Sequence, residues 1–230
     1  MRIIKEADKY LISRARLGPS KNTTIPLELD EELAFFVAAI IGDGHLKKSK
    51  LQIAIELSNE RLIKYIQKIC KQIFNREFNI CPIKLRKGKK QSWCIYMDSK
   101  AIYNLLNKVF SIPIGKKSHI VQIPKVIKNS NKSIKSSFLI GILLTEGGKR
   151  HGPKRYGLST ASKRLWVELI ELFKSLNIEI QTDKWVHKKY KKAYYGLSFR
   201  KECLSFIMGE CRSGQTGQIF SDIFLKEGQA

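Results

Sequence analysis

Two carboxylates, Asp43 and Glu146, stand in matching surroundings in this 230-residue sequence. Each closes an apolar run, in FFVAAIIGDGHLKK and in FLIGILLTEGGKRH, and each is followed by glycine and cationic residues. Two carboxylates brought together raise each other's pKa unless a cation intervenes. Hard divalent cations such as Mg²⁺ are bound by one or two carboxylates together with water and substrate phosphate. The pattern therefore predicts a metal site that acts on a phosphate group.

The apolar runs are predicted to be buried helices that carry these acids at their C-terminal ends. Ala38 and Gly42 are four residues apart, as are Gly141 and Thr145, so each pair lies on one helix face and permits close approach of a second backbone. Either each helix packs on its own sheet, or the two helices pack on each other, and the repeated pattern favours the second arrangement. We interpret Gly42 and Gly44 as residues that end the first helix and admit a phosphate backbone.

The elements around the two acids repeat along the chain. The acids lie 103 positions apart, and the hydrophobic pattern predicts the same order for the unit around each one: helix, strand pair, helix, strand pair, helix. The predicted divisions are a basic N-terminal extension (1–30), a first unit (31–110), a linker (111–136), a second unit (137–211) and a weakly structured C-terminal tail (212–230).

Composition limits the partners of these two units. The formal net charge is +23, from 43 Lys and Arg against 20 Asp and Glu, while a hydrophobic fraction of 43% is enough for a packed core. Such a charge predicts an anionic partner, with nucleic acid ahead of an anionic membrane. The longest apolar run, Leu33–Ile41, is too short to span a bilayer. Five cysteines without a CxxC pair predict reduced thiols in a cytoplasmic protein.

The two apolar motifs resemble those of the LAGLIDADG homing endonucleases. The matching nonapeptides are FVAAIIGDG (36–44) and LIGILLTEG (139–147), and the resemblance extends over about residues 30–211. The single-chain members with two motifs are most similar, particularly the archaeal intron-encoded type, whose linker is similar to GKKSHIVQIP here. The resemblance implies an α+β fold of two pseudo-twofold-related αββαββα units, with antiparallel saddle-shaped sheets and a two-helix interface.

The same resemblance implies an activity and a location. It implies a monomeric, site-specific double-strand DNA endonuclease that hydrolyses phosphodiesters with Mg²⁺, for which Mn²⁺ is a plausible substitute. It would act on DNA in a prokaryotic cytoplasm. The start at Met1 and the absence of splicing-domain residues favour an intron over an intein as the source.

Roles for individual residues follow from the resemblance. It implies that Asp43 and Glu146 are the metal-binding catalytic acids, with the backbone carbonyls of Gly42 and Thr145 as further ligands. Lys149, three residues after the second acid, occupies a position where such enzymes place a lysine near the scissile phosphates.

One departure from the family concerns a lysine that many members carry at the end of the second strand of each unit. Ser58 and Ala161 occupy those positions here, which leaves open the residue that positions the attacking water. The residues expected to contact DNA, chosen from strand alternation and charge, are Lys47, Gln52, Glu56, Lys84, Arg86, Arg150, Arg155, Ser159, Gln181, Lys188, Ser198 and Arg200.

Two other functions suit the same fold and charge. One is an RNA maturase that binds a folded intron RNA and assists splicing, and the other is a DNA-binding regulator that does not cut. Both acids and Lys149 are retained, and a protein that only binds has no need of two clustered carboxylates facing phosphates. The sequence therefore favours the nuclease.

Overall fold

The computed structural model describes residues 2–14, 21–84, 91–150, 154–188, 191–211 and 214–224. A small antiparallel sheet of β1 (Arg2–Ala7), β2 (Tyr10–Arg14) and β3 (Thr23–Pro26) comes first. The first unit follows: α1 (Glu31–Ile41), β4 (Gly44–Lys47), β5 (Gln52–Leu57), α2 (Glu60–Phe74), β6 (Asn79–Pro82), β7 (Trp93–Asp98) and α3 (Lys100–Asn104), which continues as a π-helical turn over Leu105–Val109.

The second unit repeats this order after a short helix, α4 (Lys125–Lys128). It consists of α5 (Lys132–Glu146), β8 (Gly147–Lys149), β9 (Arg155–Thr160), α6 (Lys163–Ser175), β10 (Gln181–His187), β11 (Lys192–Arg200) and α7 (Cys203–Glu210), and α8 (Gly214–Phe224) ends the described chain. The predicted α+β architecture of two αββαββα units is thereby confirmed.

Helices α1 and α5 lie side by side and run in the same direction. Their N-terminal ends are joined because Ser133 Oγ donates to Glu31 Oε1 and Ser137 Oγ donates to the Glu31 carbonyl oxygen, both at 2.6 Å. Asp30 and Asn131 cap the two helices through their side-chain oxygens. Both helices are buried on almost every face, so their own packing, rather than solvent, fixes the position of their C-terminal ends.

Small residues set the close distance between these two helices. A Cβ placed on Gly141 would lie 2.7 Å from Ala38 Cβ and 2.7 Å from the Phe35 carbonyl oxygen, and one on Gly42 would lie 2.1 Å from Thr145 Oγ1. Such distances leave no room for a side chain. The prediction that the motif helices pack on each other is confirmed.

The role expected for the glycines needs a correction. Gly42 is the C-cap residue of α1, so the prediction that the helix ends here is confirmed. The prediction that these glycines leave room for a phosphate backbone is wrong. The space beside Gly42 is filled by Thr145, and a Cβ on Gly44 would lie 2.6 Å from Ile40 Cα. These glycines therefore allow helix packing and a tight turn into β4, because protein atoms already occupy the space that a side chain would take.

Each unit contains one four-stranded antiparallel sheet. The strand orders are β4-β5-β7-β6 and β10-β11-β9-β8, so the first strand of each unit, β4 or β8, forms a sheet edge. One face of each sheet packs into the core through residues such as Ile53, Ile55, Leu158 and Leu197. We call the opposite face, which carries the alternate residues, the outer face of each sheet.

Two expected boundaries are wrong. The linker was predicted to reach residue 136, but α5 begins at Lys132 because Asn131 caps it. The tail was predicted to be weakly structured, but α8 is a helix whose Phe220 is fully buried and whose Thr216 hydroxyl lies 2.8 Å from the Tyr65 hydroxyl. Thr216, Phe220 and Ile223 form one helical stripe, which the surrounding glycines and glutamines obscure.

The N-terminal extension is the sheet of β1 to β3. It packs against α2, where Arg76 Nη1 donates to Thr23 Oγ1 at 2.9 Å. Among the described residues, none of the helices combines the length and the hydropathy that crossing a bilayer requires.

Candidate active site

The parallel packing of α1 and α5 brings Asp43 and Glu146 to the same end of the helix pair. Asp43 lies in the turn between α1 and β4, and Glu146 is the last residue of α5. Partial burial, then the negative charge of Glu146, and also that of Glu56, raise the pKa of Asp43 to about 7, although Lys117 acts in the opposite direction. Burial also raises the pKa of Glu146, again opposed by Lys117. The structure thus holds two electrostatically coupled carboxyl groups, one from each unit.

Lys117 is a third charged member of this site, and the sequence analysis did not select it. Its Nζ donates to the carbonyl oxygens of Ile41 and Gly42 at the C-terminal end of α1. Burial lowers the pKa of Lys117, while the charges of Glu146 and Asp43 favour its protonated form. A cation therefore lies beside the two acids and the negative end of a helix dipole.

The linker holds Lys117 in place by contacting both units. On one side it pairs with the edge strand β4, where Gly115 N donates to the Leu46 carbonyl oxygen at 2.9 Å. On the other side Ser162 Oγ, at the start of α6, donates to the Val121 carbonyl oxygen at 2.7 Å. The segment GKKSHIVQIP was used only for its similarity to the linker of the archaeal intron-encoded type, and no role was predicted for its residues. Its two adjacent lysines were the available signal.

The donor atoms at this end of the helices suit a hard divalent cation. Two carboxylates and nearby backbone carbonyls are oxygen ligands of the kind that Mg²⁺ and Mn²⁺ take, with water and phosphate completing the shell. In the described part of the chain, no group of three or more His, Cys, Asp and Glu side chains is arranged so that it could hold a metal ion, so such an ion would depend on these two acids. The Gly42 carbonyl already accepts from Lys117, and the Thr145 hydroxyl donates to the Gly141 and Ile142 carbonyls.

The outer face of the first sheet carries three of the predicted contact residues. In the antiparallel register His45 lies opposite Ala54, Lys47 opposite Gln52, and Glu56 opposite Cys94. Directly opposed residues share a face, so Lys47, Gln52 and Glu56 lie on one side, away from the core. Gln52 Nε2 donates to Asp98 Oδ1 at 2.9 Å.

The outer face of the second sheet carries five more of the predicted contact residues. The register places Arg155 opposite Arg200, Ser159 opposite Gly196, and Ser198 opposite both Gly157 and Gln181. Arg155 also donates from Nε to Ser198 Oγ at 3.2 Å. These side chains form a continuous polar surface across three neighbouring strands.

Two further predicted residues, Lys149 and Lys84, do not lie on these faces. Lys149 pairs with Tyr156, whose side chain is buried, so the register puts Lys149 on the core side of the edge strand β8, although it is exposed there. Lys84 is exposed just beyond β6, two residues after Pro82, and alternation places it with the residues of the core side.

Of the other three predicted contacts, the structure describes Arg150 and Lys188. Arg150 is half-buried, and its backbone N–H donates to the Arg155 carbonyl oxygen at 3.1 Å. Lys188 is exposed directly after β10. Arg86 lies outside the described residues.

Comparison with curated proteins gives partial matches. No family model matches the chain. It is 30% identical over 169 residues to the replication factor C small subunit of Methanocaldococcus jannaschii. This match covers 73% of this chain and 9% of that protein. It is 26% identical over 167 residues to a DNA polymerase of the same organism, and this match covers 72% of this chain and 10% of that protein. The chain spans about a tenth of the length of the curated relatives it matches.

Comparison with solved structures identifies the fold. Mesophilic variants of the homing endonuclease I-DmoI match with a TM-score of 0.56 at 17% identity, over 81% of this chain and 97% of theirs. I-DmoI in complex with DNA and Mn matches with a TM-score of 0.54 at 17% identity, over 80% of this chain and 97% of that chain. The homing endonuclease I-WcaI, bound to its DNA recognition sequence, matches with a TM-score of 0.52 at 14% identity, over 79% of this chain and 80% of that chain. This protein has the two-domain LAGLIDADG fold.

Proposed function

We propose that this protein is a site-specific endonuclease that cuts double-stranded DNA at a long target site with Mg²⁺ or Mn²⁺, acting as a monomer. The observation that carries the proposal is the meeting of Asp43 and Glu146, one from each unit, beside Lys117 at the joined ends of α1 and α5. A binding protein gains nothing from two carboxylates placed where the phosphates of its ligand would lie.

The chemistry divides among the residues of this site. A bound divalent cation stabilises the attacking and leaving oxygens of an in-line displacement at phosphorus. Asp43 and Glu146 would hold that ion when they are ionised. Lys117 would offset the negative charge of both carboxylates and the charge that develops on the phosphate. Because each unit supplies one acid, both strands of a duplex would meet one shared site.

Recognition of the target would fall to the outer faces of the two sheets. Their described side chains are mixed in charge and rich in hydrogen-bonding groups, as Gln52, Glu56, Arg155 and Gln181 illustrate. Such groups can read base edges in the major groove, whereas lysines of the turns suit phosphates. The similar structures of I-DmoI and I-WcaI contain DNA, which supports DNA as the partner here.

The curated relatives support a mobile origin. Their names describe a replication factor and a DNA polymerase, yet the matched segment makes up only 9% and 10% of their lengths. We infer that the shared segment is a separable module within those proteins. A nuclease whose cut promotes copying of its own coding element fits such a distribution.

The test is cleavage of a plasmid library that carries a randomised insert. Incubation with Mg²⁺, but not with EDTA, should linearise a small subset of plasmids, and sequencing of the ends should give one long target. Tight, salt-sensitive DNA binding without cleavage of any plasmid would overturn the nuclease and favour a regulator. Preferential binding of folded intron RNA would favour the maturase.

The pKa of Asp43 predicts a pH dependence of stability. Its shift from 3.8 to about 7 means that, between these values, the folded chain holds a proton that the unfolded chain has released. The folded state then binds more protons, so raising the pH through this window favours unfolding. In EDTA, the Tm of wild type should therefore fall relative to the Tm of Asp43→Asn as the pH is raised from about 5 to about 8.

The same shift predicts how activity changes with pH. Metal binding requires ionised carboxylates, so metal affinity and cleavage should both rise as the pH passes through about 7. Parallel melting curves for wild type and Asp43→Asn across the whole range would show that Asp43 titrates normally and would refute this account of the site.

Replacement of Lys117 by methionine should slow cleavage by about 100-fold, since the cation beside the reacting phosphates and the two acids is lost. Lys116→Met, which removes an exposed charge from the adjacent residue, is the matched control and should cut at nearly the wild-type rate. Single-turnover cleavage at saturating enzyme separates this effect from weaker DNA binding. Equal rates for the two variants would remove Lys117 from the reaction.

A further inference from the structure

A cavity of about 250 Å³ lies beside Glu146, between the linker and the second sheet. It is not explained by the packing of the core, because charged and polar side chains from three segments face it. Its lining includes Glu146, Lys117, His119, Ala161, Lys192 and Tyr194. At about 30 Å³ of liquid volume per water molecule, a space of this size holds several waters or a small anionic group with its hydration.

The cavity lies where a short side chain, that of Ala161, directly follows β9. The methyl group of alanine leaves that space open. The linker closes one side, since His119 Nδ1 donates to the Ala161 carbonyl oxygen at 3.3 Å. Thr160 of β9 pairs with Tyr195 of the neighbouring strand β11. One step further along the same antiparallel register, Tyr194 lies beside Ala161.

Lys192 brings a cation to this space from a different strand. It begins β11, it pairs with His187, and it lies on the outer face together with Tyr194, two residues further along. Tyr194 is held by stacking on Trp185, with ring centroids 6.0 Å apart and an interplanar angle of 17°. The strand that carries Lys192 is thus fixed by a ladder and an aromatic pair, and only its exposed side chain has freedom to adjust.

The charges around the cavity suit a phosphate group that lies between the cavity and the site of the two acids. Lys117 and Lys192 supply two cations, and the single carboxylate in the lining is Glu146, which the proposed function assigns to the metal. We propose that this cavity binds a DNA phosphate next to Glu146, and that Lys192, together with Lys117, supplies the positive charge that holds it. This inference rests on the proposed function only in taking DNA as the ligand and Glu146 as its metal-binding neighbour.

The test uses a duplex selected by binding rather than by cutting, so that it does not depend on activity. Wild type, Lys192→Met and Lys191→Met are each titrated with duplexes that carry one neutral methylphosphonate among the central phosphates. Lys191→Met is the matched control, because Lys191 is the exposed residue directly before β11 and does not line the cavity. Every variant is also assayed for single-turnover cleavage with Mg²⁺.

At one central phosphate we expect the two changes to be non-additive. Neutralising that phosphate should weaken binding about three- to tenfold in wild type and in Lys191→Met, but hardly at all in Lys192→Met, because the partner charge is already gone. Cleavage by Lys192→Met should be about tenfold slower, and unequally so for the two strands, whereas Lys191→Met should keep the wild-type rate.

The outcomes separate the inference from the proposed function. Coupling at one phosphate in a protein that never cuts would support the phosphate cavity and overturn the nuclease. Cleavage by wild type, with additive effects at every central phosphate and an unchanged rate for Lys192→Met, would overturn the cavity and leave the nuclease standing. A wild type that binds no duplex would overturn both.

Discussion

Replacement of Asp43 by asparagine is expected to reduce cleavage by about 100- to 1000-fold or more while leaving DNA binding intact. The change removes one of the two carboxylates that would hold the metal, and metal stabilisation of the transition state amounts to several kcal/mol, with about 1.4 kcal/mol for each factor of ten. Binding should persist and even tighten, since a negative charge next to the phosphates disappears. Plasmid cleavage with Mg²⁺ and titration of the same duplex in EDTA measure the two effects.

The control for this variant is Asp8→Asn, in the exposed turn between β1 and β2. It makes the same chemical change away from the site and should cut at the wild-type rate. Full activity of Asp43→Asn would show that the acid of the first unit does not hold the metal, and equal loss of activity and of DNA binding would point to misfolding instead.

The second large effect is expected in the interface between the motif helices. Gly141→Leu should lower the free energy of unfolding by about 3 kcal/mol or more, because even its Cβ would lie 2.7 Å from the Phe35 carbonyl oxygen and from Ala38 Cβ. Both atoms belong to the buried helix α1, which leaves the side chain no route of escape. Chemical denaturation in urea measures the loss.

Gly209→Leu provides the matched comparison for the helix interface. Gly209 lies in α7, is exposed, and has no atom within 4 Å of the position of an added Cβ. Leucine there should stabilise the protein by up to about 1 kcal/mol through helix propensity. If Gly141→Leu proved as stable as wild type, the two helices could not be in the close contact that brings the acids together.

The central pair of this site was predictable from sequence because its signal is local and repeated. An apolar run, a small residue, an acid and glycine occur twice, and the periodicities that follow each copy specify the same elements. Parallel packing of two such helices then brings Asp43 and Glu146 to one end. Small residues at four-residue spacing, such as Ala38 and Gly42, were enough to predict the close contact that the structure shows.

Other features depend on tertiary placement that no local pattern reports. Lys117 lies in an irregular linker, and its position follows from contacts with both units at Leu46 and Ser162. Lys149 was chosen for its distance along the chain from the second acid, but strand β8 begins directly after that acid and alternation turns Lys149 to the core side. Helix α8 was missed because its apolar stripe is short and lies among glycines and glutamines.

The central claim is that the acids of the two units form one shared site for both strands. Its most direct test is single-turnover cleavage of a supercoiled plasmid carrying the selected target by wild type, Asp43→Asn, Glu146→Gln and the double variant. Each single variant should be nearly as inactive as the double variant on both strands, because the effects of residues that act as a unit are not additive. Efficient nicking of one strand by either single variant would show two independent sites and would rule out a shared one.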